Sequence, residues 1–184
     1  MTELSLNILD VAQNSIKAEA KLVELFVLID TAKDILTIEI NDDGCGMPAD
    51  ILEKVADPFF TTRDTRNVGL GVPFFKEAAE STGGSFSITS ETGKGTRVKA
   101  TFTLSHIDRM PLGDINSTVE TLVFYNTHLD FHYKYHLDGE EFSLDTREIK
   151  ELLEGQPIDA PEVKEFISGY LAENSNEINK TQTF

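Results

Sequence analysis

The feature that most constrains this chain is Asp42-x-Gly44-x-Gly46, set directly after a run with period-two apolar alternation, Ile35 to Ile40. Alternation of that kind predicts a strand with one buried face, and a second β-rich run, Leu22 to Ile29, precedes it across the turn Asp30 to Asp34. Two glycines at a strand end let the chain turn sharply and pass close to a planar ligand. A carboxylate at the same point can accept a hydrogen bond from an exocyclic amino group such as that of adenine. A glycine turn with solvated acids is the bland alternative, and this motif alone leaves it open. Upstream, Leu6, Leu9, Ala12 and Ile16 recur at spacings of three to four, which predicts an amphipathic helix over residues 4–19. The chain therefore opens as a helix followed by a hairpin.

Downstream, Pro48 to Val55 predicts a short helix, and Asp57-Pro58-Phe59-Phe60-Thr61-Thr62-Arg63 leads through a polar stretch to Val68. Gly69-Leu70-Gly71 then opens a helix that stops near Gly83-Gly84. Strands follow at Ser85 to Ser90 and Thr96 to Leu104, joined by the turn Glu91 to Gly95. Beyond them the pattern predicts a helix from Asp114 to Asn126 and a hairpin around Asp138-Gly139. Two more helices are announced by Asp145-Thr146-Arg147-Glu148 and Asp159-Ala160-Pro161-Glu162, each read as a capping box with the aspartate as cap. The polar tail from Asn174 is expected to fray.

Charge excludes whole classes of function. Among 184 residues, 16 Lys and Arg face 32 Asp and Glu, a net of −16, which disfavours sequence-independent nucleic-acid binding and anionic membrane surfaces. No apolar run approaches the roughly 18 residues that span a bilayer, Met1-Thr2-Glu3 lacks the basic start of a signal peptide, and one cysteine makes no intrachain disulfide. A cytoplasmic protein is expected. The acid is unevenly spread, net −6 through Leu104 and −10 from Ser105 onward. With the loop-like Ser105 to Gly113, that shift suggests a division into residues 1–104 and an acidic α/β extension, 105–184.

Three further elements carry chemistry. Asn14 lies on the first helix with Asp10 one turn earlier on the same face. An amide oxygen suits Mg²⁺, and a carboxylate there can position or deprotonate a nucleophile; a structural hydrogen bond from Asn14 to a nearby loop is the alternative. Gly69-Leu70-Gly71 at a helix start, behind Arg63 and Arg66, offers amide donors and cationic side chains to phosphates. It lacks the third glycine of a dinucleotide fingerprint, and no GxxxxGK[ST] occurs. His128, His132 and His136 have helical spacing, but they alternate with Leu129, Phe131, Tyr133, Tyr135 and Leu137. A strand with its aromatic residues inward explains them, and no metal is assigned. Cys45 is read as a small side chain in the glycine loop.

The order of these parts resembles the GHKL ATPase superfamily, which groups gyrase, a heat-shock chaperone, sensor histidine kinases and MutL. The parts are a helix Asn, DxGxG, Phe-Phe-Thr-Thr-Arg, GLG, and Gly93-Lys94-Gly95-Thr96, within residues 4–104. The resemblance implies a Bergerat-type two-layer α/β sandwich with a mixed, largely antiparallel sheet and helices on one face. It also implies that Asn14 ligates Mg²⁺ on ATP, with Lys17 nearby, and that Asp42 reads the adenine amino group in a pocket shaped by Gly44, Gly46 and Met47. Asp57 to Arg63, with Phe60, Thr61, Thr62 and Arg63, matches the F box. Arg66, Val68, Gly69, Leu70 and Gly71 fall in the ATP lid, and Thr96 supports the adenine-binding carboxylate through water. Lys94 and Arg97, like Arg63 and Arg66, fall in or near the motifs that meet phosphate.

The pattern departs from the family at three points. Asn67 stands where the lid usually carries a further glycine, and Asp10 stands where several members have a general-base glutamate one methylene longer. The N-box helix begins directly after Met1, so a preceding phosphoacceptor helix is not expected. Transfer to a His, Ser or Thr of a partner is then the expected function, with Asp10 as base. An ATP-driven dimerisation or docking switch with slow hydrolysis, and a nucleotide-sensing subunit without turnover, are the alternatives. Chains of this shape also resemble histidine-kinase-like ATPases found beside iron-hydrogenase genes in anaerobic bacteria, which suggests a redox, hydrogenase-linked or signalling partner.

Overall fold

In the computed structural model, residues 3–56 and 70–180 are described. The predicted opening helix is α1, Leu4–Lys17, and the hairpin is β1, Leu22–Asp30, with β2, Ile35–Asp42. After a single-turn helix α2, Ala49–Leu52, come α3, Gly71–Glu80, and a second hairpin, β3, Ser85–Glu91, with β4, Gly95–Thr103. The remaining elements are α4, Ile115–Tyr125, β5, Asp130–Leu137, β6, Glu140–Asp145, α5, Thr146–Leu152, and α6, Pro161–Lys180.

All six strands form one sheet in the order β3-β4-β2-β1-β5-β6. Every neighbouring pair is antiparallel except β1 with β5, which is parallel. The alternation legible in the sequence sets one face inward: Leu25 and Val27 of β1 lie beside Ile40 and Ile38 of β2, and Ile40, Ile38 and Leu36 lie beside Val98, Ala100 and Phe102 of β4. Helices α3, α1, α4 and α6 cover that face as the second layer, and the buried apolar residues form one continuous cluster. The result is the expected two-layer α/β sandwich. Leu104 is no break in it, because β5 extends the sheet from β1 with Phe131 opposite Val23 and Tyr133 opposite Leu25.

The loop after β4 also anchors α1. The helix has no side-chain cap, and its first amides donate instead to the carbonyls of Pro111 and Leu112, each at 2.9 Å. Asp114 caps α4 by accepting from the Ser117 amide at 2.9 Å, and this bond, joined by one from the Ser117 hydroxyl, holds its carboxyl below the usual range.

Three local expectations need correction. Asp145 does cap α5, accepting from the Arg147 amide at 2.9 Å, but α6 starts one residue later than Asp159 would place it. Pro161, with no amide hydrogen, takes its first position and Ala160 precedes it. From Asn174 to Lys180 the chain is helical and not frayed: α6 runs to Lys180 because Ile178 is buried and Asn179 Oδ1 accepts from the Tyr135 hydroxyl at 3.2 Å. In β5 the aromatic residues are buried and His132 and His136 face the other side, as read, while His128 lies before the strand.

Candidate functional site

Asp42 is the last residue of β2, on the helix-facing side of the sheet, where the apolar alternation would have placed another core residue. Its carboxylate is held at both oxygens. Oδ2 accepts from the Ser15 hydroxyl of α1 at 2.7 Å, and Oδ1 accepts from the Gly44 amide at 2.9 Å. Each oxygen keeps a further lone pair for a ligand. Thr96 of β4 is the register partner of Asp42 and points to the same side.

The glycine loop is tied down on every side. Asp43 Oδ1 accepts from the amides of Lys21 and Leu22, Cys45 N–H donates to Ala18 O at 2.9 Å, and Gly93 N–H donates to Cys45 O at 2.7 Å. Gly46 has φ +65°, and a Cβ there would sit 2.0 Å from Glu91 O, so no other residue fits this approach. Met47 N–H donates to Ser90 Oγ at 2.8 Å. Cys45 is exposed on the loop, as a small surface side chain.

Asp10 and Asn14 lie on one side of α1, Asp10 exposed and Asn14 half-buried. The same side meets α3, where Gly71 is buried and a Cβ on it would come 2.9 Å from Asp10 Cβ. This contact sets the first turn of α3, with Leu70 just before it, next to Asp10. Structure therefore brings Asp10, Asn14, Leu70 and Gly71 to one corner and Asp42, Gly44, Gly46, Met47 and Thr96 to an adjoining one, with α1 common to both. Lys17, exposed in the last turn of α1, borders a groove with Leu9, Gln13, Ile16 and Tyr125 between α1 and α4. Phe60, Thr61, Thr62, Arg63, Arg66, Val68 and Gly69 lie outside the described residues, as do Asp57 and Asn67.

Lys94 and Arg97 lie close to Asp42 and Thr96 in the fold, each held in an ion pair of its own. Arg97 follows Thr96 and so faces the opposite side of the sheet, where its Nη2 meets Glu39 Oε2 at 2.6 Å. Lys94 pairs with Glu91 in the exposed turn at 2.7 Å. Two hydroxyls were missed by motif reading. Ser15 interrupts the buried stripe of Leu4, Ile8, Val11 and Ala12, and Ser90 continues the inward positions of Phe86 and Ile88. A polar residue at a core-facing period is the signal that marks both.

A profile of the family described as "Histidine kinase-, DNA gyrase B-, and HSP90-like ATPase" matches residues 2–106, more than half of the chain. The chain belongs to this family. Curated relatives of this GHKL chain include the sensor kinase CckA of Brucella abortus, 43% identical over 67 residues, covering 36% of this chain and 7% of that protein. Sensor protein DegM of a Bacillus species is 32% identical over 91 residues, covering 50% of this chain and 24% of its own. Sporulation kinase E of Bacillus subtilis is 33% identical over 89 residues, 48% of this chain and 12% of that kinase. The GHKL chain thus matches only a small part of these relatives' length. Among solved structures, the N-terminal domain of a DNA repair protein superposes with a TM-score of 0.58 at 16% identity, covering 79% of this chain and 53% of that one. The Aquifex aeolicus MutL ATPase domain complexed with ADP gives a TM-score of 0.48 at 14% identity, covering 84% and 70%. The first of these likenesses is one of fold.

Proposed function

We propose that this chain binds Mg-ATP at the corner formed by α1, the Asp42 loop and α3, and transfers the γ-phosphoryl group to a His, Ser or Thr of a partner protein. The observation that carries the reading is the doubly held carboxylate of Asp42. Fixed by Ser15 and Gly44 with lone pairs to spare, it is preorganised to accept from an amino group and repels a carbonyl oxygen in the same place. Gly44 and Gly46 admit the flat base, and Thr96 completes its polar edge.

The residues fit a hard cation. Asn14 supplies a half-buried amide oxygen that makes no hydrogen bond to another described residue, and Asp10 supplies a carboxylate one turn away. Magnesium bound there would neutralise charge on the phosphates. Leu70 and Gly71, at the opening of α3, present amides toward them, and Arg63 and Arg66 are assigned to the γ-phosphoryl by motif. In the transfer, the acceptor atom attacks phosphorus as the bond to the bridging oxygen of ADP breaks. Asp10 takes the proton when the acceptor is a hydroxyl.

Residues 1–104 carry this chemistry, and residues 105–184, with a net charge of −10, present an acidic surface to a basic face of the partner. We place the chain in the cytoplasm, in a signalling or redox-linked role; no described helix is long and apolar enough to cross a membrane. Asp10, exposed beside Asn14, equally suits activation of water, so slow hydrolysis driving dimerisation or docking is the second reading. Incubation of the chain with γ-labelled ATP and proteins that co-purify with it tests both. A labelled partner, lost with Asp10→Ala, supports the kinase; free phosphate with no labelled protein supports the ATPase. Intact ATP after long incubation contradicts both.

A further inference from the structure

The groove between α1 and α4 joins a helix inside the family match, which ends at residue 106, to one outside it, which begins at Ile115. Leu9 and Ile16, half-buried and two turns apart on one side of α1, form an apolar floor with Leu122 of α4, and the hollow above them measures about 450 Å³. Tyr125, the last residue of α4, stands at its rim with 83% of its surface exposed. Leu6, 39% exposed and seven residues before Gln13, carries the apolar surface further along α1. A hollow and a large ring projecting beside it are a hole and a knob on one surface. That pairing is what a self-complementary contact needs, because across a two-fold axis the ring of each copy enters the hollow of the other.

Charge selects the same occupant. With a net −16 over 184 residues, two copies repel over most of their surface. The described residues that line this groove include no carboxylate, and Lys17 is the one charged side chain among them. Lys17 ends α1, so its stem can lie on the rim while its ammonium reaches water. Gln13 and Asn126 at the rim each carry an amide, donor and acceptor together, and an amide can pair with a copy of itself where a carboxylate cannot. A basic partner finds its carboxylates elsewhere on the chain.

We propose that this groove is the contact surface for a second copy of the chain, in an isologous dimer that seats Tyr125 of each protomer against Leu9, Ile16 and Leu122 of the other. These four residues take no part in the nucleotide corner, so the dimer needs no ATP and does not depend on the ATP reading. Sedimentation velocity on the full chain, with and without Mg-ATP, tests it. Two helix faces make a small interface, so the mass should climb from 20.5 kDa toward twice that value over about 1 to 100 μM, alike in both conditions. Tyr125→Ala should weaken the dimer about 30-fold or more, as the loss of an anchoring aromatic does, Tyr125→Glu should leave a monomer, and Tyr125→Phe should keep the dimer. Because Tyr125 is exposed, each variant should melt as the unaltered chain does; should one fail to fold, Gln13→Glu, which sets a carboxylate on the rim of each copy, should break the dimer by itself. A monomer at every concentration overturns the proposal and leaves the groove to a different protein. Association seen only with Mg-ATP, or a dimer that Tyr125→Glu leaves intact, overturns it as well.

Discussion

Single residues decide whether this molecule is stable where it is polar inside. Glu39, nearly buried in β2, is pushed up by burial, yet its hydrogen bonds with Lys99 and Arg97 outweigh that and leave its carboxyl below the ordinary value of 4.5. A folded-state value below the unfolded one gives stability that is complete above 4.5 and lost as pH falls through the folded value. Glu39→Gln should therefore lower stability at neutral pH by about 1 kcal/mol, its partners being half-exposed, and the difference should close on acidification; denaturant melts at pH 7 and in acid measure it. Tyr133 is the converse case. Its hydroxyl is buried with no hydrogen-bond partner among the described residues, and burial pushes the phenol strongly upward. Tyr133→Phe should raise stability by about 1 kcal/mol, and a lower melting temperature would reveal a partner for that hydroxyl. Asn7 is likewise fully buried, with neither amide atom paired among the described residues, one turn before Asp10. Nothing in the structure explains it. Of the site, Asp42 and its glycines were legible because carboxylate and glycine act locally, at a strand end. Ser15 and Ser90 were not, because each works through a partner 27 or 6 residues away whose proximity only the fold creates.

At the scale of elements, the local patterns that specify a helix or strand were sufficient, and their ends were not. Period-two alternation located β2 and β5, and the 3.6-residue stripe located α1. The end of α6 depends on Ile178 finding the core and Asn179 finding Tyr135, which no local pattern records. Arg97 shows the same limit from the other side: proximity in sequence to Thr96 suggested the phosphate site, and strand alternation carried it to the far face. The glycine loop makes a sharper claim about elements. Because Gly46 at φ +65° packs against Glu91 O, Gly46→Ala should cost about 1–3 kcal/mol from backbone conformation alone, with the clash added, and should separate the Asp42 loop from the β3–β4 turn. Thermal melts with amide exchange at Met47 measure this. Unchanged protection at Met47 would show that the close approach is dispensable.

For the whole molecule, the composition shift at Leu104 was legible, but the parallel pairing that crosses it was not. β1 and β5 are more than 100 residues apart, and nothing in either run names its partner. Cutting the chain after residue 106, where the family match ends, would leave β1 as an open edge and uncover the apolar faces that meet Val119, Leu122 and Tyr133. Such a fragment should aggregate or lose cooperative unfolding, and a soluble fragment with a sharp melt would show that residues 1–106 fold alone. The acidity of the chain belongs mainly to the part beyond that point, so a polyphosphate ligand and a net charge of −16 are compatible by location. The account stands or falls on Asp42. Calorimetry with Mg-ATP and Mg-GTP on the full chain and on Asp42→Asn should show ATP bound and GTP rejected, with ATP affinity reduced roughly 10- to 100-fold in the variant, as expected for loss of a charge-assisted hydrogen bond. Equal binding of ATP by both chains, or none by the unaltered one, would contradict it.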